Sequence, residues 1–277
     1  MKVLLFSSRS LAVFCIAFLA MGSCALAQPA RDFEPQVGQR GKDVIWLPTA
    51  QALVDRMLDM AKVTARDYVI DLGSGDGRTV IAAANRGAKA LGIEYNPDMV
   101  ELSRRRAAEE GVRDKATFVR ADIFNSDFSQ ATVLTMFLLP ELNLRLRPII
   151  LTMKPGTRVV SNSFDMGDWK PDQTVEAART CTQYCRAFLW IVPAKVQGSW
   201  QVAQGVLELT QTFQMLSGSL YSGNIVAPIS NGWVKGDELT FRAGNTEYVG
   251  RVIGNVIEGF SKTGGKEATW RATRDRI

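Results

Sequence analysis

Three regimes of hydrophobic patterning succeed one another along the chain. An unbroken apolar stretch runs from Leu11 to about Met21, behind the basic residues Lys2 and Arg9. After a polar arm holding Pro29, Pro35 and Gly38, short apolar runs alternate with segments of helical spacing. Leu53, Val54, Met57, Leu58 and Ala61 recur at three- and four-residue intervals, which predicts a helix over residues 50–61 with Thr49 as its N-cap. Residues 68–71, 89–94, 116–121 and 131–137 are short apolar runs of strand length. Between them, residues 79–85 form a helix candidate, and residues 97–110 another, with a thin apolar face of Met99, Val100, Leu102 and Ala107 closed by Gly111.

Strands that alternate with helices predict an α/β fold, a doubly wound Rossmann-like core. The third regime starts near residue 196. Val206 to Phe213 alternate apolar and polar, and turn signals recur at Ser217-Gly218, Asn231-Gly232, Gly244-Asn245 and Gly264-Gly265. This predicts a C-terminal antiparallel β domain of about six strands, a meander or partly open barrel, with Trp200, Phe213, Trp233, Phe241, Phe260 and Trp270 in its core. The expected organisation is a leader at residues 1–27, a core at 28–196 and a β-rich accessory domain at 197–277.

The densest chemical signal is Asp71-Leu-Gly-Ser-Gly-Asp-Gly-Arg78, directly after the first strand. Three alternating glycines let main chain approach a ligand where a Cβ would collide, and the following helix aims its first N–H groups at the same place. A dinucleotide fingerprint requires glycine at position 78, where the chain has Arg78. About twenty residues beyond the glycines, the second strand ends in Glu94, the position of a ribose-binding acid. The third ends before Asp122.

At these residues the chain resembles the class I, seven-strand S-adenosylmethionine-dependent methyltransferases. The resemblance implies that Asp71, Gly73, Ser74, Gly75 and Gly77 form the loop around the amino-acid part of S-adenosyl-L-methionine. It implies Glu94 on the ribose hydroxyls and Asp122 beside the adenine amino group. Over residues 44–193 the chain also resembles a narrower group, the mitochondrial lysine methyltransferases with their bacterial relatives and, more distantly, the nucleosomal-lysine enzymes without a SET domain. Leu47-Pro48-Thr49, Gly92-Ile-Glu94-Tyr-Asn96-Pro97, Phe137-Leu-Leu-Pro140 and Pro155 to Ser161 carry that second likeness.

Composition narrows the chemistry. The chain has no histidine, which excludes Ser-His-Asp and Cys-His catalysis and imidazole-based zinc sites. Its net charge of +5 includes Lys2 and Arg9, too mild a balance without them to predict a nucleic-acid partner. Arg104, Arg105 and Arg106 are expected on the solvated face of their helix. The first 27 residues have the layout of a secretory signal peptide cut after Ala27, so the expected location is exported and periplasmic, or membrane-anchored where the leader stays uncleaved. Export raises the question of cofactor supply, since S-adenosylmethionine is made in the cytosol. Past the leader only Cys181 and Cys185 remain, spaced so that a disulfide is feasible.

Residues after the fourth strand bear on the acceptor. Enzymes that methylate amide or exocyclic amino nitrogens place an Asn/Asp-Pro-Pro-aromatic segment there, and this chain has Phe137-Leu138-Leu139-Pro140. These residues serve either as an apolar mouth that strips water from an amine or as plain core. The expected function is therefore methyl transfer to an amine, a protein lysine among the candidates, with no residue assigned as a catalytic base. Two alternatives stand beside it: methylation of a small or lipid-like molecule, and a non-catalytic binding protein built on a methyltransferase scaffold.

Overall fold

Asp71 pairs in register with Gly92 on one side and Thr135 on the other, which puts the glycine loop at the centre of a seven-stranded sheet. The computed structural model describes residues 33–177 and 181–274. The leader therefore lies outside the described residues. In chain order the first half comprises α1 (Gln51–Met60), β1 (Tyr68–Leu72), α2 (Arg78–Asn85), β2 (Lys89–Glu94), α3 (Pro97–Glu109), β3 (Ala116–Arg120), β4 (Val133–Met136), α4 (Pro140–Ile150), β5 (Arg158–Asn162), β6 (Gln173–Glu176) and β7 (Arg186–Ile191). The strands lie in the order β3-β2-β1-β4-β5-β7-β6, with β1 to β5 parallel and β7 antiparallel to both β5 and β6.

Side-chain alternation explains how one sheet serves two cores. Val69, Ala90, Val133 and Val160 face α1, α2 and α3, while Ile70, Leu72, Leu134, Met136 and Val159 face α4 and the indole of Trp190. Strands covered on both faces read as nearly continuous apolar runs, which is the pattern the sequence shows. The strand order reverses between β1 and β4, so their carboxyl ends open a crevice there.

Most helix signals act as read. Asn96 caps α3 by accepting from the Asp98 N–H at 2.9 Å, and Pro97 occupies the first turn. Beyond Glu110, Gly111 takes φ +71°, with Gly111 N–H donating to Ala108 and Val112 N–H to Ala107, a Schellman closure. Thr49 departs from expectation. The N-cap of α1 is Ala50 with no side-chain bond, because the Thr49 hydroxyl is turned inward to accept from Asn162 Nδ2 at 3.1 Å. The polar arm ahead of α1 folds on itself, with Gly38 N–H donating to Trp46 and Trp46 N–H to Gln39.

From residue 198 the chain forms β8 (Gly198–Val202), β9 (Gly205–Thr212), β10 (Met215–Ser222), β11 (Ile225–Lys235), β12 (Glu238–Ala243), β13 (Thr246–Ile253), β14 (Val256–Thr263) and β15 (Lys266–Thr273). All neighbours are antiparallel, and β15 pairs with β8 to close the barrel. Eight strands replace the expected six, and closure replaces the open edge, which leaves no unpaired strand among them. Trp200, Phe241 and Trp270 fill the interior as expected. Phe260 is 55% exposed, and Phe213 instead stacks on Trp169 of the α/β core at 5.9 Å between centroids. Phe213 has φ +54° and Gln214 donates to the Lys170 carbonyl, so the β9–β10 turn is a docking element against the core.

Candidate functional site

A cavity of about 230 Å³ opens at the carboxyl ends of β1, β2 and β4, beneath the folded arm. Asp71, Gly73, Ser74 and Gly75 line it from the loop, Glu94, Tyr95 and Asn96 from the end of β2, and Asp122 from beyond β3. Gly73 and Gly75 have φ of +74° and +53°, and an added Cβ at Gly75 would stand 2.7 Å from Trp46 Nε1. A side chain there would therefore meet the arm across the loop. The bare main chain keeps this wall open, as a ligand passing close to backbone needs.

Glu94 organises that loop directly. One carboxylate oxygen accepts from the Gly75 N–H and the other from the Asn96 N–H, both at 2.9 Å. Each oxygen keeps a further lone-pair direction for hydroxyl donors. Asp71 lies deeper, accepting from the Thr135 hydroxyl at 2.6 Å. Burial pushes its carboxyl up to about 7 against that hydrogen bond, and the charges of Glu94 and Asp76 add to the rise. Asp122 caps the Phe124 N–H with one oxygen and pairs with Lys42 Nζ at 2.6 Å through the other. The Lys42 ammonium holds the Asp122 carboxyl below its ordinary range.

The loop is not uniform in what it presents. Gly77 does not reach the cavity. A Cβ on it would stand 2.8 Å from Ser103 and 2.9 Å from Phe118, so this glycine serves the packing of α3 and β3 beneath the loop. The Ser74 hydroxyl is fully buried against Gly92 and has no partner, so at the cavity Ser74 offers main chain.

Two contributions were not foreseen. Asp76, 2% exposed, is gripped by Arg78 and by Arg106 from α3, the latter at 2.5 Å. Burial works against its charge, yet the two guanidinium groups hold its carboxyl below the ordinary range. Arg106 is thus a strut under the loop while its side chain stays partly solvated; its signal in sequence was the basic run, whose register toward Asp76 only the packing of α3 reveals. Lys42 and Trp46 bring the arm over the cavity; the segment between leader and glycine loop is expected from sequence to cover the site, but nothing in the spacing marks these two residues. The disulfide that the spacing of Cys181 and Cys185 makes feasible does form, Cα atoms 5.7 Å apart, beside the cavity residue Tyr184. Among the described residues no His/Cys/Asp/Glu group could hold a metal, and no helix is long and apolar enough to cross a membrane.

A seven-stranded sheet in this order, with a bare-glycine loop braced by an acid at the end of β2, defines a class I S-adenosylmethionine-dependent methyltransferase. Comparison with known proteins agrees. Residues 71–173 match the model of the ANTKMT methyltransferase domain. A protein-lysine N-methyltransferase of Saccharolobus islandicus is 41% identical over 48% of this chain and 84% of its own length. The adenine nucleotide translocase lysine N-methyltransferase of Mus musculus is 35% identical over 37% of this chain and 46% of its own length. An RNA methyltransferase from Salinibacter ruber, solved with S-adenosyl-L-homocysteine, is 45% identical, covers 54% of this chain and 96% of its own, and superposes with a TM-score of 0.51. The chain belongs to the class I S-adenosylmethionine-dependent methyltransferases, in their lysine methyltransferase group. It is an enzyme of that class and its cofactor is S-adenosyl-L-methionine.

Proposed function

We propose that the protein methylates the side-chain amine of a protein lysine. The observation that carries this reading is the apolar mouth beside the cofactor cavity. Phe137, Leu138 and Leu139 follow β4 where a grip for planar nitrogen would stand, and Phe164 and Tyr184 continue the wall. The lysine methyltransferases of Saccharolobus and Mus, as similar proteins, support the same acceptor. S-adenosylmethionine supplies a methyl group on a sulfonium, transferred to a nucleophile in line. The chain's part is placement. Glu94 and the glycine loop hold the ribose and amino-acid portions, Asp122 faces the adenine side, and the arm through Trp46 excludes water. Transfer requires the neutral amine, whose lone pair must be free to attack, so the incoming ammonium gives up its proton to solvent before the step. Holding donor and acceptor at about 3–3.5 Å supplies much of the acceleration without a dedicated base.

The test is to incubate purified protein and methyl-labelled cofactor with a cell-envelope extract, then hydrolyse the protein fraction. Label in methylated lysine is expected. Label confined to an organic extract would replace this reading with a small or lipid-like acceptor, and label in RNA would align the chain with the Salinibacter protein.

We further propose that residues 1–27 direct export and are removed after Ala27. The Cys181–Cys185 disulfide supports this reading, since such pairs persist in oxidising compartments. N-terminal sequencing of the protein from its native cells is expected to begin at Gln28; a mature chain starting at Met1 overturns cleavage and leaves the anchored form.

A further inference from the structure

Phe137, Phe164 and Tyr184 come from three separate places, the residues after β4, after β5 and before β7, yet their rings converge at one rim of the cavity. Centroids lie 6.0 Å apart for Phe137 and Phe164, 5.3 Å for Phe137 and Tyr184, and 6.0 Å for Phe164 and Tyr184. None of the three belongs to the buried clusters on either face of the sheet. Core packing, the plainer role open to Phe137 from sequence, therefore does not account for them. Tyr184 remains 42% exposed.

Two of the rings stand on fixed backbone. Asn143 of α4, fully buried, donates through Nδ2 to the carbonyls of Phe164 and Asp165, and Ser163 turns the chain with φ +58°. Tyr184 adopts φ +54°, an unfavourable conformation for an aromatic residue, next to Cys185 in the disulfide-closed loop. Among the described residues, the cation–ring contacts fall on Tyr68, Tyr95, Phe124, Phe213 and Trp200, so these three rings have no such contact with a cation of the protein's own.

We propose that the three rings form an aromatic seat for the cationic head of the acceptor, a lysine ammonium and its methylated products, and that the disulfide loop positions Tyr184 in it. This inference rests on the amine-acceptor reading. Aromatic faces attract ammonium and, once desolvated, alkylated ammonium groups. The arriving amine gives its proton to solvent, its lone pair forms the new C–N bond as the C–S bond breaks, and sulfur keeps the bonding pair. The product is again a cation and stays matched to the rings.

The test uses Nα-acetyl-Nε-trimethyllysine methylamide and its neutral isostere, in which carbon replaces the quaternary nitrogen. Both are titrated by NMR into the full chain with S-adenosylhomocysteine present. Wild type is expected to prefer the cation by about fivefold. Tyr184→Ala and the double variant Cys181→Ser/Cys185→Ser are expected to lose most of that preference with cofactor affinity unchanged, and Tyr184→Phe to keep it. Equal binding of the two probes, no binding of either, or a preference that survives in Tyr184→Ala overturns the proposal. The envelope labelling separates the two failures: lysine label without cation preference removes the seat alone, whereas no lysine label removes the acceptor reading.

Discussion

Asp71 is the residue where burial and chemistry meet most directly. Its folded-state pKa of about 7 lies above the ordinary 3.8, so between those values the folded protein holds a proton that the unfolded chain has released. Stability contributed by this group is therefore present at low pH and lost as pH rises toward 7. Measured by urea denaturation at about pH 4.5, 6 and 7.5, the ligand-free wild type is expected to lose stability relative to Asp71→Asn as pH rises. Parallel curves would show that the carboxyl ionises normally. Glu94 makes a separate prediction. Glu94→Ala removes the acceptor for two main-chain N–H groups of the site and is expected to weaken S-adenosylhomocysteine binding at least tenfold, about 1.4 kcal/mol by calorimetry. Asp71 and Glu94 were legible in the sequence because each ends an apolar run beside a glycine loop. Lys42 was not, since its meeting with Asp122 spans 80 residues and depends on how the arm folds back.

At the scale of elements, the loop between β1 and α2 is a braced structure. Asp76 ties the start of α2 to α3 through Arg78 and Arg106. Asp76→Ala would leave two partly exposed guanidinium groups unpaired around a buried gap. The expected cost is about 2 kcal/mol, below that of breaking a fully buried pair because solvent reaches both arginines. Equilibrium urea unfolding checks it, and an unchanged midpoint would mean that the brace contributes nothing. Helix periodicity, the Pro97 start and the Gly111 stop were readable here because they are local. The orientation of Arg106 was not, because a basic run reads alike whether it faces water or a buried acid.

In the whole molecule, a mixed sheet and a closed antiparallel barrel meet around Trp169, Phe213 and Gln214, and again where Gly236 lies against Gly156. Phe213→Ala removes the ring stacked on Trp169, and Arg147 also lies over that ring at 5.3 Å. For a half-buried phenylalanine the expected loss is about 2 kcal/mol, less than for a ring buried on all sides. Scanning calorimetry should show a lower melting temperature or a separately melting barrel; an unaltered transition would place the docking elsewhere.

The order of strands and helices, the glycine loop, the acids at strand ends and the alternating strands of the second half all follow from local pattern. Period, cap and turn are properties of neighbouring residues, so one chain read in order contains them. Barrel closure, the arm over the cavity, the Arg106 strut and the meeting of Phe137, Phe164 and Tyr184 are contacts between residues far apart in sequence. They exist only once loop-closure entropy has been offset by burial across the whole fold, and that balance belongs to the tertiary structure.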